Sequence, residues 1–261
     1  MTIKSIALGL ALGFTTWVST PEAEVEVSSQ WTDVPNSYID SVSYMQSKGY
    51  TGKSPISYGT DDFLTRDEII TMVGKVSGVE EEERKVFPDS SNPYLPQLAE
   101  LGIVHGTAEG KFNPDSLVKR IDTLRILSRA FDVTQDPDFN RFRDVPKKDL
   151  SMVGGFVSSG YINGTSYTTL GTDSPIKRGD LGKILYGVGP VNLYHYKINE
   201  DTYLIFGDKR VRADYIIIPG LSGELSDYHL NGAYVKTKQD ISKMDILYKG
   251  VHPVTWKERK L

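Results

Sequence analysis

The sequence predicts a mainly α protein: three helix–loop–helix units that share one core, followed by a small β-rich C-terminal segment. Three observations support this. One set of landmarks recurs three times along the 261 residues, opening at Asp33, Asp89 and Asp144, which lie 56 and 55 positions apart. Within each set, apolar residues return at helical spacing. Beyond Val191 that period gives way to short runs of β-branched and aromatic residues bounded by turn residues.

The N-terminus comes first. Lys4 precedes the apolar run Ile6–Phe14, and a small, polar stretch, TTWVSTPEAE, follows it. This order predicts a secretory signal peptide over residues 1–23, cleaved near Ala23. The run is short for a membrane span, although a lone N-terminal anchor helix is the alternative.

The units themselves begin WTDVPNSYIDSVSYMQSKGY at Trp31, FPDSSNPYLPQLAELGI at Phe87 and FRDVPKKDLSMVGGFVSSGY at Phe142. Tyr38, Val42 and Met45 mark the apolar stripe of the first, Leu95, Leu98 and Leu101 that of the second, and Leu150, Val153 and Val157 that of the third. Each run stops at a glycine suited to a left-handed helix end, Gly49, Gly102 or Gly160. A second glycine then turns the chain: Gly52, Gly106 or Gly164. A polar loop leads to an arginine, Arg66, Arg120 or Arg178, which opens a second amphipathic helix. The arginines are 54 and 58 positions apart. The units span residues 28–79, 84–134 and 139–189. None is large enough to bury its own apolar faces, so the three must pack together.

The arginines sit oddly. In FLTRDEII, Thr65 and Glu68 have the spacing of a capping box, and Arg66 stands between them at the positive end of the helix dipole, where a cation is disfavoured. The counterparts of Thr65 are Lys119 and Lys177, which cannot cap, and those of Glu68 are Asp122 and Asp180. The cap chemistry changes from copy to copy and the arginine does not. A guanidinium is a planar fork that matches a carboxylate, and a helix start offers free N–H groups to an anion. An anion site is therefore one reading of these arginines. Pairing of Arg66 with Asp62 or Asp67 on the surface is the other. Lys119 and Lys177 either add positive charge to such a site or mark one that no longer binds. Asp33, Asp89 and Asp144 read first as helix caps or turn formers, and Trp31, Phe87 and Phe142 as core.

From residue 191 to 261, Lys and Arg number 11 against 9 Asp and Glu. TYLIF, DYIIIPG, GAYVKTK and DILYKG are the strand candidates, with GDKR after Phe206 as a turn. This gives a small β-rich domain of unknown role. The net charge of the whole chain is −4, which argues against broad binding to nucleic acid or an anionic membrane. There is no cysteine, so disulfides, thiolate metal sites and a cysteine nucleophile are excluded. His105, His195, His229 and His252 lack the spacing of a zinc site. GLSGE around Ser222 is a turn rather than a nucleophile elbow. DPDFN, Asp136 to Asn140, has Arg141 where a calcium loop needs glycine. EEEE, Glu80 to Glu83, reads as a solvated linker. No catalytic residue, metal or cofactor is predicted.

The landmarks resemble those of the S-layer homology domain: aromatic-x-Asp-Val-Pro, a helix ending in Gly-Ile or Gly-Tyr, a second glycine, then Phe-x-Pro-x-x-x-[VI]-x-Arg. KFNPDSLVKR, Lys111 to Arg120, fits the loop pattern, and TRDE at Thr65 is similar to the family's Thr-Arg-Ala-Glu. The resemblance covers Ser28 to Val188 in three copies. It implies a pseudo-threefold bundle whose grooves bind secondary cell-wall polymer through a pyruvylated sugar, and so an exported protein of the bacterial cell wall or S-layer. It implies Arg66, Arg120 and Arg178 as carboxylate-binding residues, with Asp33, Asp89, Asp144, Gly106 and Gly164 beside them, and the Arg66 groove as first choice. Surface-layer proteins are further partners in this reading; nucleic acid and, in the mature form, membrane are not. The function expected is non-catalytic anchoring. The alternative is a wall-associated enzyme, such as a carbohydrate hydrolase, with its active site in the C-terminal domain.

Overall fold

A computed structural model describes residues 31–131, 133–207, 216–228, 232–244, 247–248, 252–253 and 255–258. The signal peptide expected over residues 1–23, the first copy's opening at Ser28, the GDKR turn and His229 lie outside the described residues.

Six α-helices come first: α1 Ile39–Ser47, α2 Arg66–Ser77, α3 Leu95–Glu100, α4 Arg120–Ala130, α5 Leu150–Ser158 and α6 Arg178–Val188. Short 3-10 turns, Asn36–Tyr38 and Lys147–Asp149, lead into α1 and α5. α1 ends where Gly49 takes φ 79°, and Gly102 and Gly160 close α3 and α5 in the same left-handed region. Pro96 is accommodated in the first turn of α3, where its missing N–H costs nothing. Leu101, which belongs to the apolar stripe by spacing, falls beyond the end of α3 and is 65% exposed.

One core joins these helices. Met45, Ile69, Val73, Leu98, Leu124, Leu127, Val153, Leu181 and Leu185 are buried in it. The residues just before the three arginines, Leu64, Val118 and Ile176, point inward as well.

The helices are not assembled as an evident three-repeat bundle, and the protein is not clearly mainly α: about 33% of the described residues are helical and 18% are in strands. That corrects the expected fold class. The physical reason lies in helix length. Segments of 6 to 12 residues offer too few turns for long ridge-into-groove packing. Loops provide much of the linkage instead. Arg66 N donates to Ser116 O at 2.9 Å and Asp67 N to Pro114 O at 3.0 Å. Arg120 N donates to Ser174 O at 2.8 Å, Arg178 N to Asp62 O and Gly179 N to Thr60 O, both at 2.9 Å. Each long loop thus sits on the start of the preceding long helix, and the loop before α2 closes the ring on α6. Bridges Thr65–Leu117, Lys119–Pro175 and Phe63–Lys177 reinforce it.

A second core follows α6. The strands are β1 Asn192–Lys197, β2 Thr202–Gly207, β3 Ile216–Ile217, β4 Gly223–Tyr228, β5 Gly232–Thr237, β6 Leu247–Tyr248, β7 His252–Pro253 and β8 Thr255–Glu258. A five-stranded sheet runs β4-β5-β2-β1-β8, antiparallel except for the β1–β8 pair. β3, β6 and β7 form a separate antiparallel sheet. Register places His195, Ile205 and Ala233 side by side, all buried, as the two-residue period of a half-buried sheet requires. Tyr44 holds the end of α6 and the residue that leads into the sheet: its hydroxyl donates to Pro190 O at 3.0 Å, and its ring meets Tyr186 edge-on at 5.6 Å.

Candidate binding clefts

The three arginines all occupy the first position of a long helix, but their surroundings differ. Thr65 lies extended, accepts from Glu68 N at 3.3 Å and donates its own N–H to Glu68 Oε2 at 2.9 Å, a complete capping box. Lys119 and Lys177 make no side-chain cap. In each helix the first two backbone N–H groups are already bonded to a loop carbonyl. The first two backbone donors of each helix are therefore taken by the neighbouring loop, which leaves more of the task of holding an anion to side chains.

Arg66 is half-buried. Its Nη2 donates to His105 O at 2.7 Å, and its guanidinium carbon lies 4.7 Å from the centre of the Phe112 ring. Nε is buried without a partner. Among the described residues no carboxylate forms an ion pair with it: Asp62 pairs with Lys53 at 2.6 Å and Asp67 accepts from Ser90. Burial pushes the Arg66 guanidinium below its ordinary value, against the field of Asp122. An arginine nevertheless stays charged at neutral pH. A desolvated cation held at one corner, with no anion in contact, attracts one. It borders a cleft of about 370 Å³ lined also by His105, Gly106, Asn113, Lys119 and Asp122.

Arg120 repeats the pattern. Its Nη2 donates to Asn163 O at 2.9 Å, its Nε is buried without a partner, and its Nη1 stands 3.9 Å from Asp180 Oδ2. The cleft here is larger, about 640 Å³, and Asp40, Gly164, Asp180 and Lys183 line it. Asp180 is itself engaged by Tyr38, whose hydroxyl donates to Oδ1 at 3.0 Å. Burial and the Asp180 charge push the Tyr38 hydroxyl up to about 12, so it remains a donor. Lys183 lies over the Tyr38 ring at 3.5 Å.

Arg178 is different. It is 3% exposed, Nη2 bonds Glu68 Oε1 at 2.6 Å, and Nη1 bonds the Tyr50 hydroxyl. Burial disfavours its charge, but Tyr50 and Glu68 more than offset that and hold it above its ordinary value. This arginine staples α6 to α2 and to the turn after α1.

The aspartates do not cap helices. Asp33 accepts from Tyr58 N at 2.8 Å, Gly59 N at 2.7 Å and Ser57 Oγ at 2.9 Å. Asp89 accepts from Phe112 N and Asn113 N at 2.9 and 2.8 Å. Asp144 accepts from Leu170 N, Gly171 N and Thr172 N at 2.8 to 2.9 Å and from Thr172 Oγ1 at 3.0 Å. Each carboxylate pins the far loop of its own copy. Burial pushes Asp33 and Asp144 up, yet these donors hold both below the usual aspartate range.

Gly106 and Gly164 line the two clefts because nothing larger fits there. A Cβ on Gly106 would lie 2.5 Å from the Phe87 ring, and one on Gly164 2.6 Å from the Phe142 ring.

Lys119 and Lys177 form exposed pairs with Asp173 and Asp61 at 2.6 and 2.7 Å. The carbonyls of His105 and Asn163 were not legible from the sequence, since any residue supplies one; their common place just before Gly106 and Gly164 is the available signal. Asp180, which read as a decayed cap, stands toward Arg120 as Glu68 does toward Arg178, whereas Asp122 pairs with Arg125 on its own helix at 2.6 Å. Among the described residues no group of three His, Asp or Glu could hold a metal ion, and no helix is long and apolar enough to cross a membrane.

Residues 88–124, which include Asp89, Gly106 and Arg120, match the S-layer homology domain. The chain is similar to an uncharacterized cell wall amidase of Bacillus anthracis, 26% identical over 107 residues, 39% of this chain and 20% of that protein. It is also 26% identical over 196 residues to a cell surface protein of Thermoanaerobacter kivui, covering 70% of this chain and 23% of the relative. A surface-layer 125 kDa protein of Lysinibacillus sphaericus is 30% identical over 91 residues, 34% of this chain and 8% of that protein. The chain therefore spans less than a quarter of each of these relatives.

Proposed function

We propose that this chain is a cell-surface anchor that binds an anionic wall polysaccharide in the clefts at Arg66 and Arg120. The observation that carries the reading is Arg66: a half-buried guanidinium bordering a cleft, with no carboxylate paired to it among the described residues. The S-layer homology match over residues 88–124 and the surface proteins among the relatives support a cell-surface location. On this reading residues 28–79 and 139–189 are further copies of the matched unit, and residues 191–261 are the domain they hold at the surface. The ligand class is a sugar bearing a carboxylate, such as a pyruvate ketal of secondary cell-wall polymer, because the guanidinium fork suits a planar anion. Arg66 and Arg120 contact it. Asp33, Asp89 and Asp144 shape the loops around it, and Gly106 and Gly164 leave it room.

The test is co-sedimentation of the purified protein with bacterial walls before and after chemical removal of secondary polymer. Binding to intact walls only, weakened by Arg66→Ala and by Arg120→Ala, is the expected result. Equal binding to stripped walls would sink the proposal.

The anchor acts without catalysis in this reading. A wall-lytic enzyme is the second reading, and the amidase named among the relatives is the observation in its favour. Release of soluble peptidoglycan fragments by the purified protein, abolished by one carboxylate substitution in residues 191–261, would replace the first reading with the second.

A further inference from the structure

Arg141 is absent from the anchoring argument above, yet it is built like a binding residue. Its guanidinium carbon lies 4.6 Å from the centre of the Phe142 ring, 5.5 Å from that of Tyr167 and 5.7 Å from that of Phe139. All three are within cation–π range. Its Nε is buried and unpartnered, and among the described residues no carboxylate forms an ion pair with it. Three rings thus fix the orientation of a cation without neutralising it.

Tyr167 completes the cage while remaining 79% exposed. An aromatic ring that open would ordinarily swing freely, but its loop is held. Ser166 N bonds Thr169 O at 3.2 Å, Thr168 N bonds Ser166 Oγ at 3.3 Å, and Arg143 N bonds Thr168 O at 2.9 Å. The result is an exposed aromatic face on a hydrogen-bonded loop, beside a positive charge that no described carboxylate pairs with.

The patch lies on the loop that also lines the larger cleft through Asn163 and Gly164. Asn163, whose carbonyl holds Arg120, and Tyr167 are four positions apart on one loop, at most about 14 Å along the chain. Gly164, between them, lines the cleft and abuts the same Phe142 ring that Arg141 covers. The third copy alone carries this pair among the described residues: Val86 stands in the place of Arg141 before Phe87.

We propose that Arg141 and Tyr167 form a second subsite, which takes the next sugar units of an anionic polysaccharide whose first unit sits at Arg120. A pyranose face stacks on Tyr167, and Arg141 receives an acidic substituent. The chain therefore grips a stretch of polymer here rather than a single residue. This rests on the anchoring reading and deepens it.

The probe is polysaccharide released chemically from bacterial walls and fractionated into short oligosaccharides and long chains, with binding followed by calorimetry. Tyr167→Ala and Arg141→Gln should each weaken long-chain binding roughly tenfold, while changing short-fragment binding less than about twofold. Tyr167→Phe should keep the long-chain affinity, and Arg120→Ala should weaken both. If Arg141→Gln fails to fold, Tyr167→Ala at its exposed site decides alone. Long-chain binding untouched by Tyr167→Ala but lost with Arg120→Ala overturns the subsite and leaves the anchoring reading standing. Equal loss for short and long fragments also overturns it. If Arg120→Ala changes neither, the subsite falls, and if Arg66→Ala changes neither as well, the anchoring reading itself fails.

Discussion

At the start of α2, Arg66 keeps one nitrogen on the His105 carbonyl and borders a cleft, whereas at the start of α6 Arg178 is 3% exposed and engages both Glu68 and Tyr50. The residue type and helix position are the same. The difference comes from the turn each arginine faces. Gly102 and Gly106 are four positions apart, as are Gly160 and Gly164, but Gly49 and Gly52 are three apart. The shorter turn carries Tyr50, whose hydroxyl fills the place that a loop carbonyl takes elsewhere. Glu68 completes the closure because a glutamate reaches one carbon farther than Asp122 or Asp180. A motif arginine is thus a cleft-facing cation in one junction and a structural staple in another.

That contrast can be broken in several ways. Arg178→Ala should be the most damaging substitution, since it leaves Glu68 and Tyr50 without their partner in a mostly buried site; about 3–5 kcal/mol is expected. Urea denaturation followed by helical circular dichroism measures it, and a variant within 1 kcal/mol of the parent would mean Arg178 is no staple. Gly164→Ala should cost about 1–3 kcal/mol by forcing a methyl group against the Ser166 and Thr169 carbonyls and the Phe142 ring, read by the same denaturation.

Acid tests the aspartates that shape both kinds of junction. The folded-state carboxyls of Asp33 and Asp144 lie below the ordinary value. Their stabilisation is therefore complete above about pH 4 and is lost as pH falls through the lowered folded values. Asp144→Asn should cost about 1–2 kcal/mol at neutral pH and flatten that acid dependence; an unchanged slope in a pH series of melts would remove Asp144 from the account. Thr65→Ala should cost about 1 kcal/mol through the lost cap, and Lys119→Ala almost nothing by the same melt. Arg66→Ala sharpens the comparison most despite a small expected cost, under about 1 kcal/mol. Its stability should hold while wall binding drops, the reverse of Arg178→Ala.

Much of the local structure is visible in the residues. The starts at Arg66, Arg120 and Arg178 follow from apolar spacing, and the left-handed ends at Gly49, Gly102 and Gly160 from the glycine stops. The capping box at Thr65 is written in four letters. The fold class was misjudged because three helical units draw attention from the strands. β1 and β4, which supply NLYHYK and GELSDY, mix charge and aromatics without a clean apolar alternation and gave no strand signal. The aspartates read as caps because aspartate before a helix commonly is one; that their carboxylates reach loops 23 to 28 positions onward is invisible to any local rule.

By itself the sequence determined where the helices begin and stop, which residues recur, and that no thiol chemistry is available without cysteine. Those follow from backbone preference and side-chain type, which act over a few residues. Only the tertiary structure decided that loop carbonyls fill the helix-start donors, that Glu68 closes on Arg178 while Arg66 and Arg120 border clefts, and that Arg141 sits caged behind Tyr167. Each of these is a contact between segments distant along the chain. Its energy depends on burial and on a neighbour's length to within one residue or one methylene.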